Sequence, residues 1–194
     1  MSCERRAIRS GSPTFEPVSL AEVKKHLEIA DADNSHDQHL SALIQTAREL
    51  VEHDTQTILA TGTFTLTLDD FPDEDEIELP IKPVSSVTSI TYIDTGGTTR
   101  TMSSSDYVLD SNEPTPEIRL AYLAMWPVTR GEPNAVTITF VAGYASAAAV
   151  ERKYKQMMLL DIARNFQDRE GWEAPKDNSA YERLATRFER SSYP

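Results

Sequence analysis

Reading from the N-terminus, the apolar positions first acquire a regular period at Leu20. Leu20, Val23, Leu27 and Ala30 recur at three- and four-residue intervals, the spacing of one helical face. Ser19 precedes them and Glu22 follows it by three, a capping box in which hydroxyl and carboxylate each take the other's amide. The pattern predicts a helix of about three turns, ended by "DADNS" at 31–35. A second helix is predicted from about His36 to Leu59. Its apolar stripe is Leu40, Leu43, Ile44, Ala47, Leu50, Val51 and Ile58, with Gln45, Arg48, Glu49 and Glu52 opposite.

At Thr61–Gly62 the period shortens to two. "TFTLTLDD" places Phe64, Leu66 and Leu68 on one face and threonines on the other, the signature of a half-buried strand. "EIELPIKP" alternates Ile77, Leu79 and Ile81. "VTSITYID" and "TTRTMSSSDYVLD" flank Gly96–Gly97, a hairpin turn because glycine accepts positive φ. "EIRLAY" and "NAVTITFVAGY" add further strands, for six or seven in all, arranged as a small antiparallel sandwich or barrel-like sheet. The helical period returns with Val150, Tyr154, Met157, Met158, Ile162 and Phe166, predicting a long helix over 147–168. After "REGWEAPKDNS", a short final helix would align Tyr181, Leu184 and Phe188.

These periods define an α+β fold: a helical bundle with an inserted antiparallel β-module. Residues 1–17 are expected to be a flexible N-terminal tail. Residues 18–60 and 147–194 form a discontinuous helical body, and 61–146 form the inserted module. No internal repeat appears.

Charge narrows the function classes. The net charge is −12 over 194 residues, spread unevenly. Residues 1–60 hold 6 Lys/Arg against 10 Asp/Glu, 61–146 hold 4 against 13, and 147–194 hold 9 against 8. An acidic body repels phosphates, which argues against sequence-reading DNA binding. A hydrophobic content of 39% and a mean hydropathy of −0.44 are low for a self-sufficient globule, so burial completed by neighbouring subunits is expected. The single cysteine, Cys3, forms no internal disulfide and fits a reducing compartment. The first residues lack the apolar core of a signal peptide, and no run approaches the ~20 apolar residues of a membrane span.

Two clusters invite a catalytic or metal reading. In "DADNSHDQHLSA" (31–42), Asp31, Asp33, Ser35 and Asp37 would fill the odd positions of a calcium loop. His36 stands where that loop needs glycine, and Ala42 where it needs a bidentate glutamate. His36 and His39 have zinc spacing but no third ligand nearby. Instead Asp33, Asn34 or Ser35 is expected to cap the second helix. "DDFPDEDEIE" (69–78) holds seven carboxylates, Asp69, Asp70, Asp73, Glu74, Asp75, Glu76 and Glu78, without a histidine, lysine or glycine-rich phosphate loop beside them. It is expected to be a solvated or lumen-facing acidic hairpin loop. Cys3 has no local activating base, His26 and His53 stand alone on helices, and Trp126 and Trp172 are expected to anchor packing. With no nucleophile elbow, Walker loop or dinucleotide fingerprint, no enzyme, cofactor or metal is expected.

Taken in order, "PVSLAEVKKHLEI", "HLSALIQTARELVEHDTQTIL", "TFTLTLDDFP", "IELPIKPVSSVTSITYID", "YVLD…PEIRL", Trp126–Pro127, "AVTITFVAGY" and "KQMMLLDIARNFQDREG" resemble the head–tail connector (adaptor, or head-completion) proteins. These occur in long-tailed double-stranded DNA phages and related gene transfer agents. The resemblance runs from Pro17 to Phe188, except that "VAGYASAAAVERKYK" lacks a proline-rich approach to the third helix. It implies a structural virion protein in the neck, present in the host cytoplasm during assembly. Such a protein forms a ring, twelve-fold to match the portal, extends the DNA channel and offers a platform to stopper or tail proteins. DNA would pass without sequence-specific contact. The C-terminal stripe Tyr181, Leu184 and Phe188, with Arg183 and Arg187, is then expected to order against the portal or a neighbouring subunit. Two other classes remain open on the residues alone: a nucleic-acid-binding packaging accessory, and a metal-dependent hydrolase using the 69–78 carboxylates.

Overall fold

The Ser19–Glu22 box forms as its spacing requires. In the computed structural model, which describes residues 7–111, 115–167, 180–184 and 186, the Glu22 amide donates to Ser19 Oγ at 3.2 Å. The Ser19 amide donates to the Glu22 carboxylate at 2.8 Å. It opens helix α1, Leu20–His26. The helix is a turn shorter than its apolar spacing suggests, because Glu28 turns the chain left-handed at φ 59°.

The chain divides into two compact units. One comprises Thr14–Ala60 and Tyr144–Pro194 and holds α1, α2 (Asp37–Thr55) and α3 (Arg152–Gln167). Its core takes Leu40, Ile44, Ala47 and Val51 from α2 and Tyr154, Met157, Met158 and Ile162 from α3, with Val18, Val23 and Leu59 closing around them. Each such side chain contributes roughly 1.5–3 kcal/mol by leaving water. Helix α2 stops before Leu59. Gln56 adopts φ 49°, and the Glu52 carboxylate accepts from the Leu59 and Ala60 amides at 2.8 and 3.4 Å, so Ile58–Ala60 are buried without being helical. The expected stripe is also narrower: Leu50 is exposed, and Arg48, assigned to the polar face, is buried.

The other unit comprises Met1–Pro13 and Thr61–Gly143. Its strands are β1 (Ala7–Ser10), β2 (Gly62–Leu68), β3 (Glu76–Glu78), β4 (Val84–Ile93), β5 (Thr99–Thr101), β6 (Tyr107–Asp110), β7 (Glu117–Leu120) and β8 (Val136–Ala142). They form two antiparallel sheets, β1-β2-β8-β4-β5 and β3-β7-β6. Phe64 lies opposite Phe140 and Ile90 opposite Ile138, all four buried. In the smaller sheet Ile77 lies opposite Ile118, both fully buried. The Gly96–Gly97 turn closes the β4–β5 hairpin, with Gly97 at φ 81° and Asp94 Oδ1 accepting from the Gly96 and Thr98 amides.

Two expectations about this unit need correction. Residues 7–10 are not tail but an edge strand, paired from Ala7↔Leu66 to Ser10↔Thr63. Four residues are too few to show a period, and the free edge of β2 decides their conformation. The 69–78 stretch is not a hairpin loop either, because β2 and β3 lie in different sheets and the acids cross between them.

Candidate interaction surfaces

The turn at 31–37 already contains a cation. Lys24, 4% exposed, reaches in from α1 with its ammonium 2.6 Å from Asp37 Oδ1, and it donates to Asn34 Oδ1 at 3.2 Å and to the Asp31 carbonyl at 3.3 Å. The ammonium is thus held by one ion pair and two hydrogen bonds. Neither Asp33, Asn34 nor Ser35 caps α2. His36 is the N-cap residue and makes no side-chain cap bond, while Asp33 instead accepts from the Ser35 amide and hydroxyl, which hold its carboxyl below the usual range. The rings of His36 and His39 pack against Phe166, with centroids 5.4 and 6.2 Å away. Among the described residues no group of three or more His, Cys, Asp or Glu is placed to hold a metal ion, and no helix is long and apolar enough to cross a membrane.

A buried ionic group that the sequence did not reveal lies along α2. Arg48 donates to Glu16 at 3.0 Å, to Glu52 at 3.0 Å and to Glu49 at 3.3 Å. Burial raises the Glu16 carboxyl, and Arg48 works against that shift. Spacing alone put Arg48 opposite the apolar stripe; its inward turn depends on Glu16, 32 residues away.

The acidic crossing divides in two. Asp69 accepts from the Asn134 amide at 2.9 Å, and Asp70 from the Thr129 hydroxyl at 2.8 Å, so both fasten loops within the β unit. Asp73, Glu74, Asp75 and Glu76 are exposed. Beside them the smaller sheet sets Glu78 opposite Glu117 and Glu117 opposite Asp110, a row of three carboxylates across three strands. Arg119 moderates it, 2.8 Å from Glu117 and 3.7 Å from Glu76. Glu78 lies more than thirty residues before the other two, so only the strand register reveals the row.

The same unit displays an apolar loop between β7 and β8. Tyr122, Leu123, Met125 and Val128 are 92%, 84%, 83% and 76% exposed. Trp126 faces inward, donating to the Glu74 carbonyl at 2.8 Å and stacking on Phe71 at 5.0 Å, and Phe71 meets Tyr92 edge-on at 5.9 Å.

Of the C-terminal residues, Tyr181 is buried against the helical core of its own unit and donates to Asp54 Oδ2 at 2.7 Å. Leu184 packs on the same core and Arg183 is exposed. Arg187 and Phe188 lie outside the described residues.

Residues 17–119 match the profile of the phage gp6-like head-tail connector proteins. No curated protein sequence matches. Among solved structures, a chain in the neck of an empty GTA particle, computed with C6 symmetry, is 24% identical with a TM-score of 0.78 over 94% of each chain. A chain from the virion of a native gene transfer agent particle is 24% identical with a TM-score of 0.76 over 93% of each. A chain from the neck of a native GTA particle, computed with C12 symmetry, is 25% identical with a TM-score of 0.74 over 94% of each.

Proposed function

Because this chain belongs to the phage gp6-like head-tail connector family, we propose that it is a structural subunit of the virion neck. In this reading it assembles as a ring beneath the portal, extends the DNA channel and presents a platform to stopper or tail proteins. The observation that carries this is the full-length likeness to neck chains of cyclically symmetric particles. Twelve copies match the proposed portal symmetry.

The residues supply physical roles for each part. Exposed Asp73–Glu76 and the Glu78–Glu117–Asp110 row would face the lumen, where like charge keeps DNA phosphates from adhering. The exposed Arg183, with Arg187 and Phe188 beyond it, would meet the portal, while Tyr181 and Leu184 tie that segment to its own helical unit. No step in this role requires catalysis.

Negative-stain imaging of the purified chain mixed with its portal tests the reading. Rings stacked coaxially on the portal are expected, and their absence at saturating protein would overturn it. Arg183→Glu with Arg187→Glu should abolish stacking and leave the fold intact.

A further inference from the structure

Tyr154, near the start of α3, touches both places where the chain crosses between the two units. Its hydroxyl lies 3.3 Å from the Thr57 hydroxyl on the outgoing crossing, and its ring is 6.4 Å from the Tyr144 ring on the returning one. Each crossing is fixed further on the helical side. The Glu52 carboxylate holds the Leu59 and Ala60 amides, and both residues are fully buried. Tyr144 packs on the helical core and donates to Glu151 at 3.1 Å. Buried contacts and satisfied amides make the helical unit firm up to Ala60 and again from Tyr144.

The β unit is firm to its own boundary. Gly62 faces Ala142 at the start of the β2–β8 ladder, Ala142 also faces Val84, and the Gly143 amide donates to the Pro83 carbonyl at 2.8 Å. Between the two frameworks stand only Thr61 on one crossing and the Gly143–Tyr144 peptide on the other. Gly143 has φ 107°, a conformation that glycine takes without strain. Positions of this kind, at the ends of elements, are where domain hinges absorb their torsions.

The two joints are side by side. Gly62 and Ala142 are directly opposite on antiparallel strands, so their Cα atoms are ~4.5–5.5 Å apart. A body held at two close points turns easily about the line through them, and any other rotation pulls a crossing against its clamp. Each unit also has its own core, with Leu40, Met157 and Met158 in the helical one and Phe64, Ile138 and Phe140 in the β one. Separately cored units joined by short crossings move relative to one another by default.

We infer that Thr61 and Gly143 form a two-point hinge about which the β unit swings as one body, while Glu52, Glu151 and Tyr154 keep the bend out of the helical unit. Within the proposed ring, such a hinge lets the β units change tilt while the helical units hold their contacts. That consequence rests on the ring reading; the hinge itself does not.

Distances between spin labels test it on the full-length free chain. In a Cys3→Ser background, nitroxides at Leu50→Cys and Val108→Cys, both exposed, report across the hinge. The pairs Gln38→Cys with Leu50→Cys, and Thr99→Cys with Val108→Cys, report within each unit. Labelled chains are diluted with unlabelled ones, so that every distance is internal to one molecule. Pulsed electron resonance on frozen samples should give a broader distribution across the hinge than within either unit. Thr61→Gly should broaden it further, and Ser146→Gly, on the exposed turn just beyond Tyr144, should leave it unchanged. A cross-unit distribution as narrow as the within-unit ones overturns the hinge. So does a Thr61→Gly chain that matches the parent, or a Ser146→Gly chain that broadens as much as Thr61→Gly. Each of these results leaves the ring reading standing, because stacking on the portal tests that separately.

Discussion

The hydroxyl of Tyr181 donates to Asp54 Oδ2 at 2.7 Å, joining positions 127 residues apart within one helical unit. Burial chiefly, and the Asp54 carboxylate next, raise the Tyr181 hydroxyl above its ordinary ionisation range. Tyr144 is raised in the same way, by burial and then by Glu151, to which it donates at 3.1 Å.

The sign of the alkaline response follows. Unfolded tyrosine ionises near pH ~10, while the folded groups keep their protons higher, so their contribution is complete below pH ~10 and lost as pH rises above it. Tyr181→Phe should cost about 1 kcal/mol at neutral pH, the usual worth of a hydrogen bond. It should also flatten the fall in urea midpoint above pH ~10. A Tyr144→Phe/Tyr181→Phe chain should be flatter still. An unchanged alkaline slope would refute the assignment.

Asp161 gives the opposite test at low pH. It is buried on α3, and burial is the leading cause of its raised carboxyl, with Arg164 and the Asn165 amide opposing. A carboxyl raised on folding contributes stability below its unfolded value of ~3.9, and that contribution is lost as pH rises through the folded one. Asp161→Asn, whose carbonyl still accepts from Asn165, should gain up to about 1 kcal/mol at pH ~7 and nothing at pH ~3.5. Denaturant titrations at the two pH values decide it.

Arg48 should be the most sensitive charged position. Removing it leaves Glu52, 11% exposed, and the more open Glu16, 30% exposed, without their shared cation, so the loss should be about 3 kcal/mol, the low end for a buried pair. Arg48→Ala should lower the unfolding midpoint accordingly. Arg48→Met with Glu52→Gln should recover much of the loss, because glutamine still accepts from the Leu59 amide.

The carboxylate row predicts a gain. Glu78 faces Glu117 directly across the sheet, and like charges so placed are destabilising by roughly 0.2–1 kcal/mol. Glu78→Thr should raise the thermal midpoint at low salt, and the difference should shrink as salt screens the pair. A loss of stability would show that Arg119 already neutralises the row.

Local rules were legible wherever their partners lay close in sequence. The Ser19–Glu22 box, the Gly96–Gly97 turn and the alternation of Phe64, Leu66 and Leu68 all involve groups a few residues apart. Lys24, Arg48 and Tyr181 were misjudged or missed because their burial depends on partners 13 to 127 residues away. The exposed Tyr122, Leu123, Met125 and Val128 had no signal in the sequence for the converse reason. Their composition reads as core, and only the ties at Ala121, Trp126 and Thr129 turn the leucine and methionine outward.

The pairing of Gly62 with Ala142 bears on how the chain folds. Helices α2 and α3 must find each other across an excursion of roughly a hundred residues, 56–151, and the entropy of closing such a loop opposes them. Once β2 and β8 have zipped, the excursion is pinched shut at its base, and only 56–61 and 143–151 still separate the helices. At ~0.6 kcal/mol per halving of loop length, that roughly six-fold shortening is worth about 1.5 kcal/mol to the helical unit. The inserted strands thus act as a tether for helices they need not contact. The same geometry makes them removable: a short glycine turn from Ala60 to Tyr144 would restore the closure and leave a helical protein with its core sequence uninterrupted.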